Sequence, residues 1–187
     1  MVMEERACMI AEAGYEVISR YGIRRATMND IAQAAGVSRQ TVYNIFPNRE
    51  ELLHGVIRYH FWHKWNEISE AVDQVENREE RIAILLDRLV VRSWESMQAM
   101  PHADELELEI DTTMRERIAD IHQEAATNLC EFFSPYERQL SSRGMTAKGI
   151  GEMLHLAFVG MKLSSTSQAQ LETVVGTMKA CLLAVTE

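Results

Sequence analysis

The sequence predicts an all-α fold, and three observations carry that reading. Apolar residues recur at helical spacing along most of the 187 residues. Helix-capping signatures stand at the joints between those stretches: Thr27 with Asp30, Asn48 with Glu51, Asn77 with Glu80, and Ser167 with Gln170. Strand-type alternation is confined to Leu106, Leu108 and Ile110. Even there, the wider set Leu106, Ile110, Met114, Ile118, Ile121, Ala125, Leu129 and Phe132 keeps a helical period.

The elements follow in order. Residues 4–21 read as a helix with Ile10, Ala13, Val17, Ile18 and Tyr21 on one side. Gly22 ends it, and Ile23 can fold back on it. Thr27 caps a short helix whose apolar side is Ile31, Ala32 and Ala35. Gly36 stops that helix, because glycine tolerates the left-handed conformation of the residue after a helix end. Val37 plugs the turn and Ser38 caps the next helix, which packs inward through Val42, Ile45 and Phe46. Pro47 ends it by pushing its predecessor out of the helical region. Asn48 and Glu51 then open a long helix, to about residue 75, with Leu53, Val56, Ile57, His60, Lys64, Ile68 and Val72 along its stripe. Tyr59, Phe61, Trp62 and Trp65 crowd its middle, most simply as core.

Asn77–Glu80 opens a helix carrying Ile82, Leu85, Leu86, Leu89, Val90 and Met97, which closes at Met100-Pro101. From Asp104 a short helix and a longer one are expected, with a break near Thr112 and an end at Pro135. Residues 141–144 read as a loop. Thr146 caps a helix to about residue 163, and Ser167 caps a last one to about residue 185.

Two short helices joined by a tight turn are the helix-turn-helix pattern, whose second helix lies in the DNA major groove. Arg39, Gln40, Thr41, Tyr43 and Asn44 remain for the outer face of that helix. All carry donors or acceptors that reach phosphates or base edges. The alternative is a small helical hairpin with a polar face.

Several runs carry a resemblance to one family. They are Asp30-Ile31-Ala32, Ala34 to Ser38, Thr41-Val42-Tyr43, Phe46 to Glu50, and Leu52-Leu53. This connected set, about one seventh of the chain, resembles the N-terminal domain of the tetracycline-repressor (TetR) family of one-component regulators. Arg49 stands where that family usually has lysine, and Gln40 where glycine, proline or alanine is frequent. The resemblance implies an N-terminal three-helix DNA-binding domain over residues 1–50 and a helical effector-binding and dimerisation domain over 51–187. It also implies a ligand-responsive repressor acting as a homodimer on double-stranded palindromic DNA, with Thr27 and Arg49 on phosphates.

Charge agrees with this. The net charge is −9, which argues against a generally basic nucleic-acid binder. Residues 1–50 hold six arginines and six acids; the remainder holds 13 basic and 22 acidic residues and carries the whole imbalance. From Arg24 to Arg49 there are four arginines against one acid, Asp30. That is the sign phosphates require. Arg24 and Arg25 follow the first helix as solvated charges or as backbone contacts.

Cys8, Cys130 and Cys181 are far apart and odd in number, which suits packed free thiols in a reducing cytoplasm. The chain lacks a signal-peptide pattern and a membrane-length apolar run, so a soluble cytoplasmic protein is expected.

Signs of catalysis are absent from the sequence: it has no nucleophile elbow, phosphate-cradling loop or His-Glu-x-x-His pair. No enzyme activity, cofactor or metal is expected. His60 and His63 share a helix face at i, i+3 and could bind a metal only with a third ligand. The acids from Asp104 to Asp111 are most simply a solvated face, or an attractor for a cationic ligand. The competing reading of the whole chain is a helical metal-binding or enzymatic module on the same scaffold.

Two further expectations concern residues 51–187. A small, largely apolar effector would sit among Trp62, Trp65, Leu89, Trp94, Met97, Met114, Ile118 and Phe158. Helices 146–163 and 168–185 would form a four-helix dimer seam. The first of these has two apolar stripes: Ile150, Leu154, Phe158 and Met161, and separately Gly149, Met153, Leu156, Ala157 and Gly160. The second offers Leu171, Val174, Val175, Met178 and Leu182.

Overall fold

The computed structural model describes residues 3–100, 116, 118–164 and 167–187. Among them the regular elements are all helical: α1 (Glu5–Tyr21), α2 (Met28–Ala34), α3 (Arg39–Ile45), α4 (Arg49–Asp73), α5 (Arg78–Leu86), α6 (Arg92–Ala99), α7 (Ala119–Phe133), α8 (Glu137–Ser142), α9 (Ala147–Ser164) and α10 (Gln168–Val185). A π-helical turn, Asp87–Val91, joins α5 to α6, and a 3-10 turn, Ser134–Tyr136, joins α7 to α8. The chain divides into two compact units. One holds Met1–Trp65 and Met97–Ala119; the other holds Asn66–Ser96 and Asp120–Glu187.

The first unit is built on α1, α2, α3 and the start of α4. Ile10, Ala11, Val17, Ile18, Ile23, Ile31, Val42, Leu52 and Val56 are all buried in it. This is the apolar set that the helical periods select, and burying such a set drives the packing. Gly55 admits the Phe46 ring: a Cβ there would collide with its edge.

In the second unit α10 packs on α5, and both α9 and α10 pack on the π turn. Lys179 of α10 and Glu79 of α5 form an ion pair at 2.8 Å. The hydrogen bond and the charge of Lys179 hold the Glu79 carboxyl below the usual carboxylate range. The two stripes of α9 have different fates. Ile150, Leu154 and Phe158 are buried, whereas Met153 is 51% and Leu156 72% exposed. On α10, Leu171 and Leu182 are buried and Val174 is exposed.

The structure departs from the sequence reading in two described places. The helix expected from Asn77 to Met100 is interrupted by the π turn, where the Arg92 N–H reaches back to the Asp87 carbonyl and the Ser93 hydroxyl donates to Arg88 O at 3.2 Å. Ser141 and Ser142, read as loop, end α8 instead. That short helix is anchored by fully buried Leu140, and the Glu137 carboxylate accepts the Ala147 N–H at 2.7 Å across the following turn. The expected short helix from Asp104, its break near Thr112 and the strand-like alternation of Leu106 to Ile110 lie outside the described residues.

Candidate nucleic-acid interface

The turn between α2 and α3 is fixed at both ends by local chemistry. Thr27 and Asp30 complete a reciprocal capping box. The Asp30 N–H donates to Thr27 Oγ1 at 3.2 Å, and the Thr27 N–H donates to the Asp30 carboxylate at 3.1 Å. At the other end Gly36 takes φ +65°. Val37 N–H donates to Ala32 O and Gly36 N–H to Gln33 O, the paired bonds of a Schellman stop. Ser38 then accepts the Thr41 N–H at 3.1 Å and opens α3. Substituting such a cap with alanine typically costs about 1 kcal/mol.

Buried Val42 and Phe46 hold α3 against the unit, which leaves its other side outward. Arg39, Gln40 and Asn44 are exposed, and Thr41 and Tyr43 half-buried. The outward side chains are already ordered in pairs. Arg39 lies over the Tyr43 ring, 5.3 Å from its centroid, and donates to the Tyr43 hydroxyl at 3.3 Å. The Gln40 amide donates to Asn44 Oδ1 at 2.8 Å. Ser38 and Thr41 share a hydroxyl–hydroxyl bond of 2.8 Å. Each pair is worth only a few tenths of a kcal/mol, up to about 1 for the cation over the ring. Their effect is to reduce the rotamer freedom that a bound partner would otherwise have to freeze.

Both residues expected on phosphates also serve the fold. Thr27 is the α2 cap. Arg49, half-buried at the start of α4, donates through an Nη to Ile23 O at 2.7 Å, tying α4 to the bend after α1. A phosphate contact by either residue has to compete with these bonds or add to them. Arg24 and Arg25 are exposed.

The eight residues expected around an effector fall in different places. Trp62, Trp65, Met97 and Ile118 belong to the first unit; Leu89, Trp94 and Phe158 belong to the second. Met114 and the acids from Asp104 to Asp111 lie outside the described residues. Trp62 is exposed, and Trp94, Ile118 and Phe158 are buried. The buried Trp94 indole N–H has no hydrogen-bond partner among the described residues. Two surface depressions are lined by other residues: Glu16, Val17, Arg20, Tyr21, Asp30, Gln33 and Ala34 in one, and Arg138, Gln139, Ser142, Arg143 and Glu187 in the other.

His60 and His63 do not converge on a common ligand. His60 stacks on Tyr15 at 4.3 Å between ring centroids, and His63 stacks on Tyr59 at 5.7 Å. No group of three or more His, Cys, Asp or Glu suited to a metal occurs among the described residues. Burial, with the nearby charges of Glu12 and Glu5, pushes the Cys8 thiol up. Among the described residues no helix is long and apolar enough to cross a membrane.

Residues 10–56 match the family model of the bacterial regulatory proteins, tetR family. The HTH-type transcriptional regulator LuxR of Vibrio harveyi is 34% identical over 86 residues, which span 46% of this chain and 42% of that regulator. The chain thus covers less than half the length of this curated relative. The fold is similar across nearly the whole chain to a Rhodococcus sp. protein taken to be a TetR-family transcriptional regulator (TM-score 0.71, 18% identity, 99% of this chain and 100% of that one). It is likewise similar to the TetR family repressor AlkX of Dietzia sp., implicated in biodegradation of n-alkanes (TM-score 0.69, 19% identity, 96% and 97% covered).

Proposed function

The chain belongs to the tetR family of bacterial regulatory proteins, and we propose that it is a transcriptional regulator: a ligand-responsive repressor that binds a palindromic operator as a homodimer. The observation that carries this reading is the ordered polar face of α3, presented by a capped helix-turn-helix with Arg39, Gln40, Thr41, Tyr43 and Asn44 on its outward side. A helix so presented enters the major groove, while arginines flanking it meet the phosphates. Gln40 and Asn44 supply the sequence reading. An adenine edge asks for one donor and one acceptor, and this hydrogen-bonded amide pair retains the Asn44 Nδ2 and Gln40 Oε1 atoms to match it. Thr27 and Arg49 contact the backbone of the duplex.

The exposed stripe of α9, with Met153 and Leu156, and Val174 of α10 form the seam with a second copy. An apolar stripe left in water on a helix whose opposite stripe is already buried has a second surface to meet. A two-fold dimer places its recognition helices about 34–36 Å apart, or a multiple of that, and so reads a palindrome.

The effector binds in the second unit, where Trp94 supplies the polar point of an otherwise apolar site. Leaving an indole N–H buried without an acceptor costs about 1–3 kcal/mol. An apolar molecule with one acceptor recovers that cost only in the state that admits it, and such differential affinity is what a switch requires. That AlkX is a repressor supports the sign of the regulation.

The test is operator binding by the Gln40→Ala, Tyr43→Ala double variant, with sites selected from random duplexes by the unaltered chain. Loss of specific binding with retained salt-dependent binding to random DNA is expected. Undiminished binding to the selected site would show that α3 is not the reading helix.

A further inference from the structure

One cluster of side chains lies outside everything described so far. His122 of α7 and His155 of α9 meet across the second unit, with His122 Nδ1 3.1 Å from His155 Nε2 and the rings edge to face. We propose that this pair is a binding site for a divalent transition metal of the zinc, cobalt or nickel type, linking α7 to α9.

The distance between the two nitrogens carries the proposal. With metal–imidazole bonds of about 2.0–2.1 Å, two nitrogens 3.1 Å apart subtend roughly 100° at a shared ion. That angle lies between the right angle of octahedral and the wider angle of tetrahedral coordination. The separation that makes a hydrogen bond in the metal-free pair is therefore the separation of two neighbouring ligands. A modest rotation of each ring replaces the shared proton with the ion, and the helices stay where they are.

The seam that holds the rings is also built for close approach. Further along the same two helices, Gly151 lies against Cys130: a Cβ at Gly151 would sit 2.6 Å from the Cys130 backbone nitrogen and 2.6 Å from its sulfur. The Cys130 thiol donates to Lys148 O at 3.5 Å. The spacing of α7 and α9 is thus fixed by backbone contact rather than by long side chains, so the histidines are positioned before any ion arrives. This is the preorganisation that gives a two-ligand site usable affinity. No third His, Cys, Asp or Glu completes a cluster among the described residues, so water fills the remaining positions. Imidazole ligands select borderline ions over magnesium and calcium, which prefer oxygen.

The experiment is titration of the untagged full-length chain with zinc or cobalt chloride, followed by calorimetry and by cobalt visible absorption. One ion per chain is expected, with at least tenfold weaker binding by His122→Gln and by His155→Gln and no saturation by the double variant. Magnesium should give no heat. A second measurement is independent of how the variants fold: substoichiometric cobalt added to the unaltered chain should perturb the ring signals of two of the six histidines, those of His122 and His155. No saturable binding, equal binding by the double variant, or perturbation of other histidines such as His60 and His63 would overturn the proposal.

Discussion

At Arg49 the fold and the proposed interface draw on one side chain. Its bond to Ile23 O joins positions 26 residues apart, and the same guanidinium is proposed to meet a phosphate. Arg49→Ala should therefore do two things. Losing a charged hydrogen bond in a half-buried place should lower stability by about 1–2 kcal/mol. Operator affinity should fall uniformly over sequences, with the salt slope reduced by about one unit. Chemical denaturation and salt-dependent binding read these separately. Trp94→Phe keeps the ring and removes the N–H. Operator affinity should be unchanged and the response to effector weakened about tenfold, measured as effector needed for half-release of DNA. At this scale the sequence was legible where partners are three or four residues apart. The caps at Thr27, Ser38, Asn48 and Asn77 all formed as expected. The Arg49–Ile23 bond and the His122–His155 pair were not legible, because each joins residues that only tertiary packing brings together.

Among the elements, α1 to α3 have the expected extents because their ends are local: a cap, a glycine, a proline. The π turn was hidden because an inserted residue leaves apolar spacing nearly intact, and α8 because two serines and a nearby glycine read as loop. Gly55 gives an element-scale prediction. Alanine there gains about 0.8–1 kcal/mol of helix propensity in α4. Its Cβ also strikes the ring of Phe46, which is buried in the core, and overpacking costs typically 1–3 kcal/mol. The steric term should win, so Gly55→Ala is expected to lower the melting temperature; an unchanged or raised melting point would show that Phe46 moves aside freely.

Over the whole molecule, charge is partitioned as the proposed task demands: residues 1–50 balance, and the remainder carries all of the −9. An acidic remainder disfavours misdirected docking on DNA. The two stripes of α9 were legible as periodicity, and burial now separates them into one packed and one exposed. Gly160 tests the exposed one. A Cβ built there meets nothing within 4 Å, so a large residue should not disturb the single chain. Gly160→Arg should leave the helical content and melting of the monomer intact while shifting sedimentation from dimer to monomer. Operator affinity should fall at least tenfold with it. A dimer with full operator affinity would place the seam elsewhere.

The π turn at Asp87–Val91 has a consequence for how this stretch can change length. A wide turn is an α-helix carrying one surplus residue, and each residue turns the helix by about 100°. The surplus therefore resets the phase of everything after it, returning Ser93 and Trp94 to the side that buries Ile82, Leu85 and Leu86. A single-residue deletion between Asp87 and Val91 would restore a regular helix and yet swing the Trp94 indole toward water. Here regularity and burial are opposed, so the stretch tolerates substitution far better than it tolerates a change of frame around its own axis.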